Sequence, residues 1–291
     1  PFQPGTFVLN GAGATHTIEF MNAVALATAV RTVQVDANVA TMSGVLSGTG
    51  VSGITKTGSG TLRLSNTNSY AGVTTVSAGT LEASVMANGG SNSSIGSSGN
   101  AAANLLLANG TTFRYVGSGS VTSNRAFTIN ASVAGHGATI ESSGPGTLSF
   151  DTPATAIAYG SNNQARVLTL GGTNTGLNTF GKVIANNGAG ATSLVKSGTG
   201  RWVLNQANTY TGGTTVSGGT LVVNNTTGSG TGTGAVSIGS LAILGGNGTI
   251  SGLTTIDGTH APGNSPGIQA FGGGLTYNGT STLTWELIDN T

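Results

Sequence analysis

The chain has 291 residues, of which 51 are glycine, none is cysteine and 6% are charged, with a formal net charge of +1. Soluble domains are usually about 25% charged, but a 37% hydrophobic fraction gathered in short runs excludes the disordered class, which couples low hydrophobicity to high net charge. Nine dispersed Lys and Arg residues exclude a nucleic-acid partner, which needs clustered cations, and the absence of cysteine excludes disulfides, thiolate metal sites and Cys nucleophiles.

No apolar run approaches the ~18 to 20 residues that span a bilayer, so no membrane insertion by this chain is expected. Pro1-Phe2-Gln3-Pro4 lacks the basic start and apolar core of a signal peptide, and the chain reads as a mature product or an excised fragment.

The predicted strands are short, β-branched and bounded by Gly, Asn or Ser. In chain order they begin with Phe7-Val8-Leu9, Thr32 to Val35, Thr61 to Leu64, Thr74 to Val76 and Thr80-Leu81. Phe113 to Val116, Ala126 to Ile129, Val167 to Leu170, Trp202 to Leu204, Leu221 to Val223 and Leu283 to Trp285 follow. Alternation in Thr61 to Leu64 places one face inward and one outward. Ile18 to Val30 is alanine-rich, as a helix would be, but it has no cap and runs straight into Arg31 to Val35. It reads as strands with a turn, and Ala101 to Ala108 reads the same way.

The block Ile54 to Ser84 aligns without a gap on Leu194 to Asn224, every pair 140 positions apart. Lys56 pairs with Lys196, Gly58 and Gly60 with Gly198 and Gly200, and Asn68, Tyr70 and Gly72 with Asn208, Tyr210 and Gly212. An ordered repeat of this length marks an array of similar units. Gly-rich turns recurring every roughly 8 to 12 residues also suit a sandwich or barrel. The repeat and the scarcity of charge favour a solenoid, in which like residues stack turn on turn and like charges would repel. The expected fold is all-β, a parallel β-solenoid running through 1–291, with repeat units at 31–84 and 165–224 and C-terminal turns at 225–291. At roughly 20 residues per turn this gives about 14 turns and a rod on the order of 65 Å long. The shared Gly, Asn and Tyr positions read as turn and ladder chemistry.

These residues resemble the autotransporter-associated β-strand repeat, whose pattern is similar to LTKTGSGTLTLSGANTYTGGTTVSAGTL, at 54–81 and 194–221. The flanks Thr41 to Gly48, Leu168 to Ile184, Leu244 to Ile250 and Ala261 to Gly267 are similar to the segments around such repeats. The resemblance covers about 31–84 and 165–287. It implies a right-handed parallel β-helix of bacterial autotransporter passenger type, outside the cell, and no particular activity: such passengers serve as adhesins, matrix components or stalks.

Several segments match catalytic patterns in form. Gly263-Asn264-Ser265-Pro266-Gly267 fits G-x-S-x-G, but Pro266 has no N–H to give an oxyanion hole, so it reads as a turn. Gly176 to Lys182 begins like a P-loop but has Val183 where Ser or Thr belongs, and Gly48 to Gly53 has no helix after it. Gly245 to Ile250 has Ile where a calcium roll needs Asp. The acids Glu19, Asp36, Glu82, Glu141, Asp151 and Asp257 are dispersed, with Glu286 and Asp289 the one close pair, and His16, His136 and His260 are isolated. No catalytic residue, metal or cofactor is expected. Tyr70, Tyr210 and Trp202 read as packing residues before sugar-stacking ones.

The expected function is a non-enzymatic structural or adhesive rod at the cell surface. Phe7, Val8, Leu9, Leu283, Trp285 and Leu287 form a candidate end-to-end interface, because a terminal turn exposes unpaired backbone and head-to-tail contacts make filaments. The alternative is a β-helix that binds or cleaves carbohydrate, which requires a groove with two acids and a cation or a row of exposed aromatics. A secreted protease passenger would require a separate catalytic domain.

Overall fold

The computed structural model describes residues 5–151, 156–263 and 267–284. Within them the chain winds as a β-solenoid whose short strands pair in parallel with strands one turn earlier and one turn later. A twelve-stranded sheet runs from Ile18–Phe20 to Leu275–Tyr277 with one strand per turn. A seven-stranded sheet runs from Thr6–Val8 to Ala158–Tyr159, and an eight-stranded sheet from Val121–Ser123 to Thr282–Leu283. Twelve strands about 4.8 Å apart make a long sheet on the order of 55 Å.

The expected 14 turns are therefore too many. The turns differ in length: Ser237 and Thr255 stack across 18 residues, but Thr80 and Thr112 stack across 32. The additional residues leave the sheets as corner excursions, the largest between Thr80–Ala83 and Leu105–Ala108. Ile18 to Val30 forms strands, Ile18–Phe20 and Val24–Ala25, before Val30–Gln34. Its alanines favour helix locally, but each segment has a strand edge one turn away to pair with. Ala102–Asn104 is a single 3-10 turn leading into the strand Leu105–Ala108.

Alternate side chains point inward and stack as ladders. Leu62, Leu81, Phe113 and Ile140 occupy one register column and are all fully buried. Phe127, Phe150 and Phe180 meet edge to face, with ring centroids 6.0 to 6.2 Å apart. Trp202 takes the place that Leu62 has in the first repeat, and its indole Nε1 donates to the Gly171 carbonyl at 2.8 Å.

The two repeats lie on different sides of the solenoid. Gly53–Thr57 and Thr61–Leu64 belong to the seven- and twelve-stranded sheets. Their counterparts Thr192–Lys196 and Arg201–Leu204 belong to the twelve- and eight-stranded sheets. The seven-stranded side is crossed at Gly53–Thr57, Thr74–Val76, Leu105–Ala108, Thr128–Asn130 and Ala158–Tyr159, then at Val183 through its bridge to Ala156. The next strand is Thr192–Lys196, so 140 residues make five turns and one further side.

Replacing Phe150 by Ala removes the shared partner of two buried rings and is expected to cost about 3–5 kcal/mol of stability. A urea titration followed by circular dichroism measures this. A loss under ~1 kcal/mol would show that the ring trio does not organise the core.

Candidate functional sites: repeat corners and the outer face of the long sheet

Each repeat builds a corner around a buried lysine. Lys56 Nζ donates to the carbonyls of Thr57 (2.8 Å), Gly58 (2.7 Å) and, one turn later, Ala78 (3.1 Å). Lys196 repeats the pattern on Ser197 (2.8 Å), Gly198 (3.1 Å) and Gly218 (3.0 Å). The carbonyls converge because Gly58 and Gly198 turn the chain with φ of +78° and +69°. Both lysines have no exposed surface. Burial pulls each ammonium from the usual 10.5 to about 8, with Asp36 opposing this at Lys56. Gly60 and Gly200 follow at the start of the next side.

Asn68 and Asn208 tie three consecutive turns together. Asn68 Oδ1 accepts from the Leu46 N–H at 2.8 Å, while its Nδ2 donates to the Ser94 carbonyl at 2.7 Å. Asn208 accepts from the Ile184 N–H at 2.8 Å and donates to Gly230 at 2.6 Å. Tyr70 and Tyr210 are fully buried, and their hydroxyls meet the hydroxyls of Thr74 (2.7 Å) and Thr214 (2.6 Å). Burial pushes both phenols above their usual range. Gly72 and Gly212 lie against the turn before: a Cβ there would collide with the carbonyl oxygens of Ser52 and Thr192. These positions are interior or corner positions, and Gly198 is the exposed one among them.

The outer face of the twelve-stranded sheet carries two rows of side chains along the axis. From Thr61 to Thr276, ten stacked positions hold threonine eight times, with Val195 and Ser237 at the other two. None of these hydroxyls has a side-chain hydrogen bond among the described residues. Beside them stack Arg63, Glu82, Arg114 and Glu141. Arg63 Nε donates to Glu82 Oε2 at 2.7 Å, Arg114 Nη1 to Glu82 Oε1 at 3.0 Å, and Arg114 Nε to Glu141 Oε2 at 2.5 Å. Burial alone would lower the Arg114 guanidinium, but its bonds to Glu141 and Glu82 hold it above its usual value. A groove of about 480 Å³ opens along this row, lined by Glu82, Arg114 and Glu141 together with Ser143, Thr173 and Gly198. Two acids dispersed in sequence therefore flank one cation in space, because parallel stacking brings 82, 114 and 141 to adjacent strands.

The other candidates are separate. Glu19 is exposed, Asp36 accepts from Gln34 Nε2 at 2.8 Å, and Asp257 accepts from Asn278 Nδ2 at 2.5 Å. His16 and His136 are exposed. His260 is buried, with Nε2 on Gln269 Oε1 (2.8 Å) and Nδ1 on the Tyr277 hydroxyl (2.5 Å). No group of three His, Cys, Asp or Glu converges among the described residues. Lys182 Nζ donates to the Asn124 carbonyl at 3.1 Å, and its segment passes through the strand Asn178–Phe180. Asn264, Ser265 and Pro266 lie outside the described residues, as do Trp285, Leu287, Glu286 and Asp289. Of the terminal candidates, Phe7 packs edge to face on Phe20 (5.5 Å), Leu9 is buried, Val8 is exposed, and Leu283 lines a cavity of about 270 Å³ with His260 and Phe271. No helix among the described residues is long and apolar enough to cross a membrane.

The corner lysines and the charged row were not among the candidate site residues. The signal for the lysines was present, since Lys56 and Lys196 align in the repeat. The charged row had none, because its members are 19, 32 and 27 residues apart.

The fold and its repeated lysine corner define a parallel β-solenoid built from strand–corner–strand units. The passenger-associated-transport-repeat family matches residues 54–83 and 194–223, which are those units. The adhesin BmaC autotransporter of Brucella suis biovar 1 (strain 1330) is 46% identical over 146 residues, 50% of this chain and 4% of that protein. No solved structure matches. The chain is a parallel β-solenoid that carries two matches to this repeat family, and it spans a small fraction of the length of the curated relative it matches.

The lysine and tyrosine shifts set opposite pH slopes. Above about pH 8 the folded state sheds the proton of Lys56 and Lys196, while the unfolded chain keeps it to 10.5. The unfolded state then binds more protons, so stability rises with pH from about 8. Above pH 10 the unfolded tyrosines ionise while buried Tyr70 and Tyr210 stay protonated, so stability falls again. Urea midpoints across pH 7 to 11 are expected to peak near 10 (~). In a Lys56→Met, Lys196→Met variant the rising limb is expected to shrink to the share of Lys182, which burial also lowers; an unchanged limb would exclude Lys56 and Lys196 as its source.

Proposed function

We propose that this chain is a non-enzymatic adhesive segment of an autotransporter passenger, displayed outside the cell, with the side of the rod as its working surface. The observation that carries the reading is the pairing of two passenger-associated transport repeats with a 46% identical segment in a protein named as an adhesin. Residues 1–291 act as one continuous solenoid, with repeat units at 31–84 and 165–224 and further turns at 225–291. The repeat residues serve the interior, which leaves the outer rows to meet a partner. Hydrolysis is disfavoured at the groove. Glycosidases use one carboxyl as acid and another as base or nucleophile, but Glu82 has both oxygens on arginine and Glu141 shares Arg114 with it.

A finer reading is that copies also join end to end. It is supported by the sheet edges at Thr6–Val8 and Thr282–Leu283, each paired on one side only among the described residues. Such an edge accepts another strand.

Beads coated with the purified chain are expected to bind host cells well above beads coated with an unrelated soluble protein, and binding no better than that control would overturn the adhesive reading. Electron microscopy at micromolar concentration tests the finer one: filaments in the wild type are expected to shorten to single rods with Val8→Pro, which removes an outward-facing edge N–H, since residues 5, 7 and 9 turn their backbone groups toward Val30–Gln34. Single rods at every concentration in the wild type would exclude joining.

A further inference from the structure

The groove on the twelve-stranded sheet has a chemistry that selects a ligand class. Its charged row holds two arginines and two glutamates, so its formal charge is zero. A phosphate, sulfate or uronate would meet Glu82 and Glu141 as well as Arg114, and a metal or polycation would meet the guanidiniums. Neither sign gains from a row in which every charge already has a partner. Sugar hydroxyls suit it. Arg114 Nη2 and Glu141 Oε1 have no bond among the described residues, leaving a donor and an acceptor open on one bonded pair. Hydrogen bonds from ionised groups are stronger than those between neutral ones, and a hydroxyl can both donate and accept.

The surroundings extend the same chemistry. Ser143 and Thr173 add hydroxyls at the corners, while Gly171, stacked on Glu141, ends the row of charged side chains, and Gly172 and Gly198 line the groove. The threonine row runs beside it with free hydroxyls at a repeat of about 4.8 Å. Each threonine also presents a methyl group, so the row offers alternating polar and apolar contacts to the edge of a sugar ring. An extended chain of hexoses laid along the axis would meet a similar set of groups at each successive turn.

We propose that this groove and the threonine row beside it bind a neutral, hydroxyl-rich glycan lying along the rod axis. The proposal rests on the adhesive reading and names the class of its ligand.

The test uses the full chain against immobilised neutral hexose oligosaccharides and matched uronate oligosaccharides. The wild type is expected to retain the neutral series, at low and at high salt, in preference to the uronates. Thr173 is exposed at the groove, and Thr173→Trp is expected to weaken retention at least tenfold (~1.4 kcal/mol). Thr226→Trp, at an exposed corner that does not line the groove, is expected to change nothing. Thr139→Val removes one hydroxyl of the row at nearly constant volume and serves if Thr173→Trp misfolds; a severalfold loss is expected. Preference for uronates, or full retention by a folded Thr173→Trp and by Thr139→Val, would overturn the proposal. Wild-type beads that bind cells but retain no neutral oligosaccharide would overturn the glycan class and leave the adhesive reading standing. Beads that bind neither would remove both.

Discussion

A parallel solenoid depends on what happens to the carbonyls at its corners. Along each side, strand pairing between turns satisfies the backbone. At the corners the chain reverses, carbonyls converge, and a buried carbonyl without a donor is costly. This chain meets the constraint with cations. Lys56 and Lys196 each take three corner carbonyls, Arg166 takes those of Ala131, Val133 and Ala165, and Arg125 takes Ala87, Ser91 and Gly96. A multi-donor side chain is the economical answer to several acceptors pointing at one place. The cost is desolvation, visible in the lowered values of all four groups.

That use of charge shapes the exterior. Five of the nine basic residues, Lys182 being the fifth, serve the interior, and Arg63 and Arg114 are committed to glutamates on the long sheet. The remaining outer positions of that sheet are mostly hydroxyl-bearing. Alternating Arg and Glu is the arrangement stacking permits, because like charges on adjacent strands would repel across about 4.8 Å. The same stacking that makes one charged row tolerable leaves it neutral as a whole, and this bears directly on what such a face can attract.

Much of the fold was legible because its determinants are local. Gly, Asn and Ser punctuation marked the strands, and the aligned blocks marked the repeat unit. Lys56 and Lys196 were visible as a pair, but a lone lysine in a strand is equally compatible with solvent; only the carbonyls contributed by Gly58 and by the following turn place it inside. The outer rows were illegible for a different reason. Register between turns depends on corner length, and the 32-residue step from Thr80 to Thr112 beside the 19-residue step from Thr61 to Thr80 hides any period. The turn count failed for the same reason.

The offset between the repeats separates construction from surface. If each copy occupied the same side, the repeat could be read as a duplicated face presented twice to a partner. It does not: the lysine strand of the first copy lies on the seven-stranded sheet and that of the second on the twelve-stranded sheet. The corner works on either side because its lysine, glycine and asparagine contacts are made within the copy and to the turns touching it, with no reference to the rest of the cross-section. A face that runs the length of the rod must then be assembled from positions unrelated by the repeat. The threonine row is such a face: Thr61 and Thr80 come from the first copy, Val195 and Thr215 from the second, and Thr112, Thr139 and Thr169 from turns between. Thr61 and Thr80 correspond in the repeat to Arg201 and Thr220, which lie on the eight-stranded sheet. The hydroxyl row therefore persists across a change of repeat phase, and the copying of the motif alone does not account for it.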